Sequence, residues 1–289
     1  MLKRNLRHSV RTLIWALGAG VTFAAPSAAQ TVIEAVPLAG PITVDGDSAD
    51  WGSVPSRMVE LQGDGGVGWV DLRFGVHGGM IYLLAVWADG TESRLHKPYE
   101  WREDLKSYRQ TDQLEDRFAI NFLISGEFSN SKLSGSEFSA DVWHWKASRS
   151  DPAGIAHDKM WKVSRTPFEG ANEFVGEDGR TIYLSRSSDQ GDRLYRPIRY
   201  VMRQQEIMPR YEVNLTPSGS IADVRAKGVW RNGVWSLEMA RRLDTGNADD
   251  AVIQASGRIP FAIAAFNDVD GGSHSVSPTM ILRTGRYSN

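Results

Sequence analysis

Residues 70–90 read "VDLRFGVHGGMIYLLAVWADG", and the apolar residues in the first half recur with a period of two. Successive side chains of a strand point to opposite faces, so Val70, Leu72, Phe74 and Val76 share one side. Gly78 and Gly79 then supply the backbone freedom of a tight hairpin turn. The returning segment from Met80 is apolar on both faces, which suits a strand buried in the middle of a sandwich.

Neighbouring segments extend the pattern. "DRFAINFLI" alternates Phe118, Ile120, Phe122 and Ile124 against a mixed face. "KGVWRNGVWSLEMARRL" carries Asn232-Gly233, the strongest short hairpin signal, followed by Trp235, Leu237 and Met239 pointing one way. "RIPFAIAAFND" reads as another buried strand, closed by the polar loop "NDVDGGSHS". No long amphipathic stretch comes with matching helix caps. The expectation is an all-β chain: one antiparallel, immunoglobulin-like β-sandwich domain over residues 30–289. Two long loop insertions interrupt it. Residues 91–116 read as a charged, solvated connection with one helical turn, and residues 164–222 give only weak strand signals.

The first 29 residues read as a signal peptide. Lys3, Arg4, Arg7 and Arg11 precede the apolar run "TLIWALGAGVTFAA", and small residues stand at Ser27 and Ala29. The run is shorter than the roughly 20 residues a bilayer requires, so export with cleavage near Ala29 is expected, to a periplasm or the outside. No later segment is long and apolar enough to span. Without the leader the chain keeps 29 Lys and Arg against 35 Asp and Glu, an acidic balance that argues against nucleic acid as a partner. With no cysteine there are no disulfides and no C-x-x-C-H, so any haem would have to be held without covalent links.

Candidate chemistry gathers in "DVWHWKASRSDPAGIAHDKMW", residues 141–161. In a strand, His144 and Lys146 share one face and Trp143 and Trp145 the other. Three readings fit. The tryptophans can fill the core while His144 and Lys146 meet solvent. They can stack on sugar rings. Or His144, His274 and the nearby cations Lys146 and Arg149 can serve a haem, which needs an axial donor and positive groups near its propionates. His157 reads as a loop residue and His96 as solvated. None of the histidines falls in a close-spaced zinc pattern, and no nucleophile elbow, P-loop or dinucleotide fingerprint is present. The acid pairs Glu115-Asp116 and Asp249-Asp250 are adjacent and would point apart in a strand, which favours turn or cap roles over acid/base work.

Read together and in order, "VDGDSADWGSVP", "LEDRFAINF", "ADVWHWKASRSDPAGIAHDKMW", "AKGVWRNGVWSLEMARRLDTGNADD" and "IPFAIAAFNDVDGGSHSVSP" resemble the haem-binding domain family of the ethylbenzene dehydrogenase γ subunit. The "VDG--ADW" element is shared more widely with family-nine carbohydrate-binding modules. The resemblance implies a β-sandwich holding one b-type haem, with electron transfer to or from a molybdenum enzyme or a cytochrome. It also implies Met and Lys as iron ligands. In this chain the loop matching the family's Lys presents His274. The stretch matching the family's Met, "SGEFSNSKLSGSEFSA", contains no Met, and His144 is the first replacement, Lys132 the second. The alternative is a carbohydrate or small-ligand binding sandwich that has lost the haem.

Overall fold

The computed structural model describes residues 30–270 and 272–285, so the expected signal peptide lies outside the described residues. The first half of the chain supplies β1 (Val32–Pro37), β2 (Arg57–Glu60), β3 (Gln62–Gly63), β4 (Trp69–His77), β5 (Met80–Ala88), β6 (Tyr99–Arg102), β7 (Ser107–Gln110), β8 (Arg117–Gly126) and β9 (Phe138–Lys146). After it come β10 (His157–Ser164), β11 (Asn172–Val175), β12 (Thr181–Ser188), β13 (Tyr195–Pro197), β14 (Ile207–Met208) and β15 (Tyr211–Val213). The chain closes with β16 (Arg225–Arg231), β17 (Val234–Arg242), β18 (Gly257–Phe266), β19 (Ser275–Val276) and β20 (Met280–Thr284). Helix is confined to short 3₁₀ turns among the described residues, and none of their helices is long and apolar enough to cross a membrane.

Most strands belong to one hydrogen-bonded path, β11-β12-β10-β9-β8-β18-β20-β1-β4-β5-β17-β16. The path folds over at β20 and β1, and its two halves face each other through aromatic side chains. Phe74 meets Phe261 at 5.6 Å, Trp87 stacks on Phe118 at 5.6 Å, and Trp145 meets Trp235 edge-on at 5.0 Å. That is a β-sandwich, with the hydrophobic core between the layers. One expectation changes: β1 runs parallel to both β20 and β4, so the sheet is mixed at the fold-over. β5 is buried on both sides, packing Leu83 and Trp87 into the main core and Tyr82 and Leu84 against Trp51 and Ile42.

The hairpins fall where the turn chemistry places them. Gly78 and Gly79 (φ 56° and 73°) join β4 to β5, and Asn232 and Gly233 (φ 51° and 83°) join β16 to β17. Both central residues of each turn are left-handed, the geometry that matches strand twist. The segment 91–116, expected as a solvated connection with a helical turn, instead forms the hairpin β6-β7, joined by β14 in a three-stranded sheet. Trp101, Tyr108 and Met208 give that sheet a small core of its own, which explains how so charged a segment orders. In the second insertion β11 and β12 extend the main sheet, and β13 pairs with β15.

Candidate functional site

Strand register sorts the 141–161 stretch into two faces. Trp143 and Trp145 are fully buried in the core, where Trp145 donates from Nε1 to Asp151 Oδ1 at 2.9 Å. Neither offers a surface to a sugar. The opposite side of β9 carries Ala140, Val142, His144 and Lys146, and the neighbouring strands place Ala119, Asn121, Ala262 and Ala264 beside them. Small side chains in strands leave room above the sheet, where β-branched residues would fill it. The outer face of β18, β8 and β9 thus has a low floor, bordered by larger groups.

His144 and His274 both stand against Phe266, with ring centroids 5.9 Å and 5.5 Å away. They come from different elements, His144 from mid-sheet and His274 from the loop before β19. That loop lies against the end of β3: a Cβ on Gly63 (φ +121°) would fall 2.2 Å from the His274 carbonyl oxygen. Glycine there is what lets the His274 segment approach. The 127–137 loop is tied in by Asn130 Nδ2 donating to the Ser277 carbonyl (2.8 Å) and carries Lys132, whose Nζ sits 3.8 Å from the Trp161 ring centre.

This face collects polar atoms that the protein does not satisfy. His144 Nε2, His274 Nδ1, Asn121 Oδ1 and Trp161 Nε1 are all buried without a hydrogen-bond partner. Native structures leave few such atoms without a partner in protein, ordered water or a ligand, and these four lie on one face. Lys132 and Lys159, both half-buried, form no ion pair among the described residues. Burial pushes the Lys132 amine down to about 7, with Arg186 adding to the effect. Burial, followed by the charge of Lys146, holds His144 well below the usual imidazole range, and burial also lowers His274. Both imidazoles are neutral at physiological pH, the form that binds a metal.

The cations expected near the propionates are otherwise engaged. Lys146 is buried, with Nζ 2.6 Å from His157 Nδ1 and 3.5 Å from the Tyr195 hydroxyl, and desolvation drives its amine well below the ordinary lysine range. Arg149 pairs with Glu115 and lies over the rings of Tyr195 and Tyr211. His157, expected in a loop, opens β10 and is buried, its Nε2 2.8 Å from Ser188 Oγ. His96, expected in solvent, packs 3.4 Å from Glu115 and is pushed down to about 3, chiefly by burial and then by Arg149. Glu115 and Asp116 do act as caps, Glu115 accepting from the Ser148 and Arg149 backbone N–H groups of the turn after β9 (2.6 and 3.1 Å). Glu115 holds Arg149, and Asp116 accepts from Trp235 Nε1 and the Ser93 and Asp268 backbone N–H groups.

Asn121, Trp161, Phe266 and Lys159 escape a reading of histidines and their near neighbours. Their signal is Ala119 in "DRFAINF" together with Ala262 and Ala264 at alternate positions of "PFAIAAF", small residues where a closed strand face would carry bulk.

The fold and this face define a β-sandwich with an imidazole-bearing face outside its core. The family profile described as Ethylbenzene dehydrogenase matches residues 47–277, and the chain belongs to that family. No curated protein sequence matches the chain. Among solved structures, the chain is similar to a family 9 carbohydrate-binding module from Caldicellulosiruptor kristjanssonii in complex with cellotriose. The identity is 9%, the coverage 90% of this chain and 96% of that chain, and the TM-score 0.40. For the glucose complex from the same organism the values are 9%, 89% and 98%, with a TM-score of 0.38.

Proposed function

We propose that the protein is an exported haem-binding subunit that holds one non-covalent b-type haem and passes electrons to or from a redox partner, a molybdenum enzyme or a cytochrome. Family membership favours this class. The observation that carries it to this chain is the outer face, where four buried polar atoms lack partners above a floor of small residues. His274 is the first axial ligand, presented by the glycine-rich loop. His144 is the second, with Lys132 as the other donor on the face. Trp161 and Phe266 supply apolar walls, and Lys159 supplies a cation for a propionate. A bound haem would supply one-electron redox chemistry. The protein's part is to fix the ring, exclude water and keep both imidazoles neutral.

The test is titration of the purified chain with haemin. Wild type is expected to give a 1:1 complex with a sharp Soret band. His274→Ala should abolish or strongly shift that band, and His144→Ala should convert a six-coordinate low-spin spectrum to five-coordinate. Lys132→Ala is the parallel arm: a low-spin spectrum lost there and kept in His144→Ala would move the second ligand to Lys132. A wild type that takes up no haem defeats this reading and leaves the small-ligand module. A glycan-binding role would have to work without Trp143 and Trp145, which are sealed in the core.

A further inference from the structure

The second insertion carries a ribbon with an apolar tip and a basic stem. Residues 193–212, "RLYRPIRYVMRQQEIMPRYE", place five arginines against Glu206 and Glu212. In the hairpin β6-β7, on which the ribbon packs through β14, the cations Arg102, Lys106 and Arg109 are balanced by Glu100, Glu103 and Asp104. This part of the molecule is therefore cationic, in a chain whose 33 Lys and Arg are outnumbered by 35 Asp and Glu.

The tip is fastened in place. The Ile198 N–H donates to the Arg210 carbonyl (2.9 Å) and the Tyr200 hydroxyl to the Pro209 carbonyl (3.0 Å), which closes the loop at its stem. On its far side the N–H groups of Gln204 and Gln205 donate to the Tyr108 hydroxyl (3.0 and 3.2 Å), and the Trp101 N–H donates to the Glu206 carbonyl (2.8 Å). The Tyr200 ring packs against Tyr99 and Tyr108. Between these ties stand Val201 and Met202, 91% and 77% exposed, the most exposed large hydrophobic side chains among the described residues. Neither joins the Trp101–Tyr108–Met208 core that lies beside their loop. Single apolar residues on a surface are ordinary, but two in succession at the tip of an ordered ribbon form a patch. Arg199, two residues before them, has no ion pair among the described residues, while Arg203, just after them, shares Glu103 and Glu206 at the surface.

We propose that this tip docks the protein on an anionic lipid surface, with Val201 and Met202 entering the boundary between headgroups and acyl chains and Arg199 meeting a lipid phosphate. Guanidinium matches phosphate oxygens in charge and geometry. An apolar insertion and a basic patch reinforce each other at such a surface, where either alone binds weakly. A protein partner fits less well. Tight protein interfaces centre on aromatic or arginine anchors seated in shaped pockets, whereas hydrocarbon accepts flexible aliphatic side chains of any shape. The docking is peripheral and does not depend on what the histidine-bearing face binds.

The test sediments the protein purified from its producing cells with vesicles of phosphatidylcholine alone, and with vesicles of phosphatidylcholine mixed with phosphatidylglycerol. Wild type is expected to bind the mixed vesicles at least ~10-fold more tightly than the neutral ones, and to be released at high salt. The double variant Val201→Ser, Met202→Ser should bind the mixed vesicles at least ~10-fold more weakly, and Arg199→Gln about fivefold more weakly. Both variants should keep the wild-type melting temperature, since these side chains lie outside every core. A wild type that binds neither vesicle, or both equally, overturns the proposal, as does a double variant that binds like wild type. If instead the wild type ignores vesicles and dimerises in sedimentation equilibrium, and the double variant does not, the tip belongs to a second copy of the chain and the lipid proposal falls.

Discussion

Replacing Trp143 with alanine separates a core strand from a binding platform. The indole is fully buried, packs against Phe122 at 5.0 Å and lies 4.9 Å from the Arg241 guanidinium carbon. A buried tryptophan removes up to ~250 Å² from water, worth about 6 kcal/mol at 25 cal/mol/Å². The unfolded chain already hides part of that area, which lowers the figure to about 4 kcal/mol. Large aromatic truncations in cores cost a similar 3–5 kcal/mol. For a chain of this size the melting temperature should fall by roughly 10 °C. Trp143→Phe should cost less than half as much, because it keeps the ring contact with Phe122 and removes an indole N–H that has no partner. Urea denaturation followed by far-ultraviolet dichroism measures both. A Trp143→Ala protein within about 1 kcal/mol of wild type would refute the core assignment of this face.

Arg241→Met should destabilise by about 3–5 kcal/mol in the same assay, since it strands the buried carboxylates of Asp141 and Asp250. Asp116 should leave a pH signature: burial pushes its carboxyl up to about 7, with Asp89 adding to the rise against the N–H of Ser93. Between about pH 4 and 7 the folded state then keeps a proton that the unfolded state has lost, so wild-type stability falls as pH rises, by up to about 1.4 kcal/mol per unit. Asp116→Asn removes that slope, and a wild-type-to-variant difference that stays constant from pH 4 to 7 would show Asp116 ionised throughout. N-terminal sequencing of protein recovered from the cell envelope should begin at or near Gln30; an intact Met1 would defeat the export reading.

The parts of this molecule governed by local chemistry could be read from the chain. The alternation through Val70–Val76 and Trp235–Met239, and the Gly78-Gly79 and Asn232-Gly233 turns, depend on side chains within a few residues, and the strands and hairpins follow them. The parallel pairing of β1 with β20 could not be read, because it joins segments some 250 residues apart. The β6-β7 sheet was hidden by charge: Glu100, Arg102, Glu103 and Asp104 dominate the segment, while its order comes from Trp101 and Tyr108 packing on Met208 a hundred residues later. The site divides the same way. His144 and His274 can be picked out as donors, but that both abut Phe266 is a property of the folded sheet. Lys146 and Arg149 look free in sequence and are taken up by His157 and Glu115 in the fold.

The haem assignment is tested most directly by the visible absorption spectrum of the protein purified from its producing cells, recorded oxidised and then after dithionite. A single non-covalent b-type haem predicts a Soret band that sharpens and moves to longer wavelength on reduction, with resolved α and β bands, and a haem extractable into acidified organic solvent. A colourless protein that stays so after incubation with haemin would contradict it.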